Sequence, residues 1–515
     1  MQEANVKLSL DVQLEELLAS GCDSRIEIDP KTGRNAYGCP PRPSVAVPFG
    51  SCSCSTVSPR GFAAAAQLHH LLLAAESPRA EISAYANVVR RRLRELLTLP
   101  SGVDIILAPS GTCAEMLAVA LAIGSDNRPV FNIVVGPHEV GTGSPQTAAC
   151  LHYDCLSPSG TAVVPGQPID AALASRVTVR TVDVRTARGD LVSESDISVA
   201  VTKLVIEATE QNATILLHLV AHSKTGVHAP SPTCIERLQQ ISPNITVVVD
   251  AAQGRFSSYG LRDWLNKDYL VIFTGSKFYG GPAFCGALLV PPKHHPHKRQ
   301  LRSLPTGFGD YFSAVEIPET WPEIRQSLPA KPNVGLILRW SAALAEIEAY
   351  HDVPSDDRLR VLRFFQVTVP EVLNKSDTIR LLPMFQPAHD DTAERPLEST
   401  TTVIGFWVTP PAAGRPLEKA ELEQMHFDLT NDFSNARCGS GQQEIPARTF
   451  HIGMPVDLGQ SGCVLRVALG AQMIVSVATD TNLGATFDER LAWLAKQLDG
   501  LRQNIECLAA KATEY

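Results

Sequence analysis

Beyond residue 103 the chain alternates short, wholly apolar runs with longer amphipathic stretches. The runs at 104–108, 130–135, 177–182, 215–220, 245–249 and 269–273 are rich in Val, Ile and Leu and each ends at a turn or a polar residue. Helical periodicity follows the first run as far as Ile123 and fills 196–210, 231–240 and 261–267. Continuous apolar strands separated by helices predict a mostly parallel sheet covered on both faces, an α/β fold. A short helical pattern at 12–18 precedes a stretch at 35–56 dense in Pro, Gly, Ser and Cys, then two helices at about 59–75 and 80–97. Proline and glycine break the rhythm between 300 and 335. A helix at 334–351 follows, then strand signals at 402–408 and 464–468. A closing helix carries Leu491, Leu494, Leu498, Leu501, Ile505 and Leu508 on one stripe. The expected organisation is an N-terminal segment (1–79) packing over a site or a partner subunit, a large domain (80–320) and a smaller α+β domain (321–515).

Composition narrows the class. With 515 residues, 44% hydrophobic and 19% charged, the chain has material for two or three large cores. A net charge of −9 argues against sequence-independent binding to nucleic acid phosphates. No apolar run reaches the ~18 residues that span a bilayer. The first residues lack a basic region followed by an apolar core, so a cytoplasmic protein is expected. Twelve cysteines, many in apolar segments (Cys113, Cys150, Cys234, Cys285), read as reduced buried thiols. Cys52-Ser53-Cys54 has no second pair at zinc-like spacing, and no metal is expected. His294-His295-Pro296-His297 among Lys293, Lys298 and Arg299 reads as a solvated loop, and Arg90 to Arg94 as a solvated basic helix face.

The carboxyl ends of parallel strands gather functional groups at one sheet edge. Gly111, His222, Asp250 and Lys277 are expected there. Ser110-Gly111-Thr112, between a strand and a helix, aims free N–H groups at an anion, but matches no nucleoside-triphosphate pattern. Asp250 ends an apolar run and precedes small residues and Gln253, a surface on which a flat ring rests. Lys277 lies in Thr274-Gly275-Ser276-Lys277-Phe278-Tyr279-Gly280, among small and hydroxylated neighbours. A buried lysine loses its proton more easily, and the neutral amine is a nucleophile toward aldehydes. A carboxylate facing a pyridine nitrogen keeps that nitrogen protonated. Together they point to pyridoxal phosphate and to carbanion chemistry at an amino acid's Cα. The bland alternatives are a helix-capping Asp250 and a solvated Lys277.

The ordered set Ser110-Gly111-Thr112, Asp250-Ala251-Ala252-Gln253, Thr274 to Gly280 and Leu465-Arg466-Val467-Ala468-Leu469-Gly470 resembles the fold type I pyridoxal-phosphate enzymes, in their class V aminotransferase and cysteine desulfurase branch. The resemblance covers roughly residues 80–515. It implies that Lys277 forms the internal aldimine and shuttles the Cα proton. It implies that Asp250 pairs with the ring nitrogen, that Gln253 meets the ring oxygen, and that Ser110, Gly111, Thr112, Thr274 and Ser276 hold the phosphate. His138 would stack on the ring, Arg466 would grip the substrate carboxylate, and His222, where the desulfurases carry asparagine, would act as an acid–base group. A homodimer with composite sites is implied, with Thr306 and Gly307 contributing across its interface.

The reading of the residues leaves the reaction open. Transamination in specialised biosynthesis is the default, because it needs only the lysine as proton carrier. A lyase or β/γ-replacement enzyme is the alternative. Desulfurase chemistry needs a mobile cysteine near the carboxylate site. Cys438 lies in that region, but if Arg437 takes the family arginine's place the nucleophile position falls on another residue. A non-catalytic binding protein of the same fold is the third reading, against which the intact Lys277 speaks.

Overall fold

The structure is a computed structural model and describes residues 10–385, 397–411, 413–431 and 448–511. Its strands are β1 (Val47–Phe49), β2 (Asp104–Ala108), β3 (Val130–Val135), β4 (Val177–Val182), β5 (Thr214–Val220), β6 (Thr246–Ala251), β7 (Leu270–Thr274), β8 (Gly286–Val290), β9 (Ile379–Leu381), β10 (Val403–Val408), β11 (Phe450–Asp457) and β12 (Cys463–Ala468).

A seven-stranded sheet has the order β2-β8-β7-β6-β5-β3-β4. Only β8 runs against its neighbours, pairing antiparallel with β2 and β7 while the remaining pairs are parallel. β2, β3, β5, β7 and β8 are buried along their whole length, as their apolar runs require, and only the edge strand β4 is largely uncovered. Serine punctuates the crossovers. Ser58, Ser110, Ser193, Ser231 and Ser257 each cap a helix by accepting a main-chain N–H three residues on. That satisfies an amide the helix would otherwise leave unpaired, and Pro59 and Pro232 follow two of them at the first helical position.

The second sheet, β1-β11-β12-β10-β9, is antiparallel except where β1 joins β11. The N-terminal segment therefore supplies a strand to the C-terminal sheet. The helices Pro59–Ala74 and Pro78–Leu96 pack on Val334–Asp352, the helix that follows the proline-rich break. The last helix, Phe487–Lys511, buries the stripe Leu491, Leu494, Leu498, Leu501, Ile505 and Leu508. No helix among the described residues is long and apolar enough to cross a membrane.

Two expectations need correction. Arg90 is not on a solvated face. It is buried, and its guanidinium donates to the carbonyls of Ile105 (3.0 Å) and Val315 (2.7 Å), tying helix Pro78–Leu96 to the sheet. His294 is also buried, with Nε2 2.9 Å from the Asp268 carbonyl, because the 292–294 turn folds back onto the turn that precedes β7.

Candidate active site

Parallel pairing sets one geometric fact. The turns after β2, β3, β5, β6 and β7 all leave the same edge of the sheet, so Ser110, His138, His222, Asp250 and Lys277 start from one side of the molecule. What each side chain does from there depends on its turn.

Asp250 is the one incompletely buried residue of β6, and its Oδ1 accepts the Ala252 N–H at 3.1 Å. Three residues on, Gln253 turns inward. Its Nε2 donates to the Cys52 carbonyl at 3.0 Å, while its Oε1 is buried without a partner. Gly111, opening helix Gly111–Ile123, lies close against this strand end. A Cβ there would stand 3.2 Å from Thr274 Cγ2 and 3.3 Å from Ala252 Cβ, so the helix starts in tight contact with β6 and β7.

Lys277 follows β7. Its carbonyl accepts the Ser55 hydroxyl and the Gly280 N–H, both at 3.0 Å. Its neighbour Phe278 donates to the Gln253 carbonyl (3.3 Å) and accepts from the Ala471 N–H (2.7 Å). The lysine is thus pinned by the N-terminal segment, the large sheet and the C-terminal domain together. Burial pushes its amine below the usual lysine range; Asp250 opposes that shift, and the Arg466 charge adds to it.

Arg466 sits in mid-β12 with glycines as both cross-strand partners, Gly405 on β10 and Gly453 on β11. It is 2% exposed. Its Nη2 donates to Ser53 Oγ (2.7 Å) and the Met454 carbonyl (2.6 Å), and its Nη1 to the Lys224 carbonyl (3.1 Å). Nε has no partner. Every one of these acceptors is uncharged, and among the described residues no carboxylate pairs with it. Arg339 is buried on carbonyl acceptors in the same way.

Other expected site residues stand differently. Ser110 uses its hydroxyl on the Cys113 N–H (3.1 Å) and Sγ (3.3 Å) as a helix cap, and Thr274 donates to the Ala252 carbonyl (2.6 Å). Both hydroxyls shape the turns and have protein partners, whereas Thr112 and Ser276 are simply buried beside them. His138 carries an exposed ring, 3.6 Å from where a Cβ of Gly459 would be. Its carbonyl reaches the site in place of its ring. His222 has a positive φ of 55°, which swings its ring away from the strand edge. Nδ1 lies 2.8 Å from the Arg255 carbonyl and the ring meets His228 edge-on at 4.1 Å between centroids. Burial first, then His228 and Arg255, hold it well below its usual range. Cys438 and Arg437 lie outside the described residues.

Three contributors are invisible in a motif search. Ser53 and Ser55 arrive from the N-terminal segment. Lys224, in the turn after β5, reaches the His138 carbonyl with Nζ at 3.3 Å. A fourth group closes the far side of the Ser110 turn: buried Asp23 accepts from Arg25 Nε (2.6 Å) and the Tyr153 hydroxyl (2.9 Å), whose oxygen is 3.3 Å from Cys113 Sγ.

No protein-family model and no curated protein matches this sequence. Solved structures do match in shape. A NifS-like protein superposes with a TM-score of 0.52 at 14% identity, over 88% of this chain and 99% of its own. A variant of C-DES with glycine covalently linked to its PLP cofactor gives 0.52 at 13%, over 88% and 96%. The apo cysteine desulfurase of Thermococcus onnurineus NA1 gives 0.50 at 13%, over 89% and 95%. At such identities the likeness establishes the fold, an α/β architecture of the fold type I class, over nearly the full length of those chains.

Proposed function

We propose that this chain is a pyridoxal-phosphate-dependent enzyme that works at the Cα of an amino acid by aminotransferase-type chemistry. The observation that carries the reading is geometric: half-buried Lys277 follows β7 at the sheet edge where Asp250 stands near the end of the parallel neighbour β6, and its amine lies below the usual lysine range. That state suits an amine that must condense with an aldehyde. The C-DES structure, which has this fold and a PLP-linked ligand, supports it.

The residues present fit the group. The N–H groups of Gly111 and Thr112, which open helix Gly111–Ile123, offer donors to a phosphate. Gln253 Nε2 gives one N–H to the Cys52 carbonyl and has a second, the donor that suits a ring oxygen. Asp250 holds the proton of a ring nitrogen. The cofactor, when bound, supplies the electron sink for charge developing at Cα. Lys277 anchors it and carries the Cα proton, and Arg466 takes the substrate's α-carboxylate with its fork of donors.

Transamination is preferred over elimination because His222, the group that would have assisted a leaving group, faces Arg255 instead. A lyase or replacement reaction retains one supporting observation: Cys52 and Cys54 are close enough to Lys277 for their charges to act on it. Burial holds the Cys54 thiol protonated, however, and a thiol is a poor nucleophile.

The test is spectroscopic. Wild-type protein given pyridoxal phosphate is expected to gain an absorption band near the visible edge that shifts on adding amino acids, and Lys277→Ala to gain none. Wild type that stays colourless refutes the reading. Keto acid among the products favours transamination, whereas sulfide or pyruvate from cysteine favours the lyase.

A further inference from the structure

The turn after β5 places a second amine in this site. The Lys224 N–H donates to the Glu139 carbonyl (2.8 Å), its Nζ to the His138 carbonyl (3.3 Å), and its own carbonyl accepts from Arg466 (3.1 Å). Lys224 therefore joins the ends of β3 and β5 to β12 at the place where Arg466 enters.

The charges around it do not balance. Glu139 is the nearest candidate counterion, yet it is already consumed. Its carboxylate takes Arg185 Nε (2.7 Å), the Thr225 N–H (3.0 Å), the Thr225 hydroxyl (2.6 Å) and the Ser223 hydroxyl. Asp250 acts on Lys224 and Lys277 together. Arg466 has no carboxylate of its own. An ammonium has three donors, and among the described residues Lys224 has a single main-chain acceptor, at 3.3 Å. Burial first, then the charges of Arg466 and Lys277, bring the Lys224 amine down to about 7, with Glu139 and Asp250 resisting. Two neighbouring cations in a partly desolvated place repel each other until anions arrive. Arg466 accounts for one carboxylate, and Lys224 is left over for another.

We propose that Lys224 is a specificity-determining residue which, alongside Arg466, selects amino acids carrying a second anionic group on the side chain: a carboxylate, sulfonate or phosphate. The proposal deepens the reading of the Lys277 site and rests on Arg466 taking the α-carboxylate. It requires no bond-making by Lys224. Binding of the second anion favours the ammonium form, so complex formation takes up a proton wherever the free amine is mostly neutral, above pH 7.

Calorimetry on the full-length chain without added cofactor tests this independently of the chromophore. Wild type is expected to bind succinate roughly tenfold or more tighter than butyrate, the worth of one charged hydrogen bond. At pH 8 succinate binding should take up close to one proton. Lys224→Met should erase both the preference and the proton uptake, and Lys224→Arg should keep the preference without the uptake. With pyridoxal phosphate loaded, comparing L-aspartate, L-glutamate, L-cysteate and O-phospho-L-serine with L-alanine identifies which anion is read. An equal succinate-to-butyrate ratio in wild type, or an unchanged ratio in both variants, overturns the proposal. A colourless protein that still shows the ratio would instead sink the cofactor reading and leave the dianion site standing.

Discussion

Ser55 donates its hydroxyl to the carbonyl of Lys277 at 3.0 Å, across more than two hundred residues of chain. The same segment carries Ser53 to Arg466, the Cys52 carbonyl to Gln253 and the Ser51 hydroxyl to Arg255 (2.8 Å). The stretch that opens the protein is thus a wall of the site. Ser55→Ala removes one buried hydrogen bond and is expected to cost about 1 kcal/mol of stability. If the wall positions Lys277, the variant should also bind pyridoxal phosphate several-fold more weakly in equilibrium dialysis. Unaltered affinity would confine Ser55 to a packing role.

Asp250 is the main group opposing the loss of charge at Lys277. Asp250→Asn should therefore lower the Lys277 amine further, so that a pH titration of the bound chromophore shifts toward acid. Catalytic turnover should fall as well, since the ring nitrogen loses its partner. A titration midpoint that stays put or moves toward alkaline pH contradicts the placement.

Glu316 is 1% exposed, and burial raises its carboxyl to about 7. The unfolded chain ionises first, near ~4.3. The stability this group contributes is complete below that value and is lost as pH rises through about 7. Urea unfolding at pH 5.5 and pH 8 should show wild type losing about 2 kcal/mol more than Glu316→Gln over that interval. Parallel behaviour of the two proteins would show that Glu316 does not carry the pH dependence.

Gly281 lies where a Cβ would sit 2.6 Å from Ala343 Cβ and 2.9 Å from the Gly275 carbonyl. The Lys277 loop and the helix Val334–Asp352 can touch only without a side chain there. Gly281→Ala should destabilise by about 1–3 kcal/mol, read as a lowered unfolding midpoint. A variant as stable as wild type would mean that the helix moves freely.

Cys39 Sγ lies 3.5 Å from His451 Nε2. A hydrogen bond from the Cys54 thiol first, and the neighbouring His451 next, hold Cys39 well below the usual thiol range against the opposing effect of burial. The depressed thiol contributes stability that is complete above the unfolded thiol value, ~8.5, and is lost as pH falls through the folded one. Ultraviolet titration of thiolate should show one cysteine ionising early in wild type. Cys39→Ser should abolish that early step, and His451→Gln should move it toward alkaline pH. An early step persisting in Cys39→Ser assigns it elsewhere.

The sequence by itself determined β2 to β7, β10 and β12 but not β1, β8, β9 or β11. Runs of Val, Ile and Leu suit strands buried on both faces, so β2, β3, β5, β6 and β7, with Asp250 near the end of β6 and Lys277 just past β7, are written locally. The stripe of Phe487–Lys511 is legible for the same reason. Side-chain direction is not local. His222 sits at the expected strand end, yet one positive φ sends its ring to Arg255. Arg90 looks solvated in its basic run but finds two carbonyls across the fold. The serines of the N-terminal segment reach Lys277 and Arg466 only because β1 joins β11, a pairing between distant segments that no periodicity records. Lys224 acquires its meaning the same way. A lysine in a turn is ordinary until the tertiary structure brings Arg466 and Lys277 beside it and gives Glu139 to Arg185. Local sequence sets backbone and burial, whereas charge balance is decided by what the whole fold brings together.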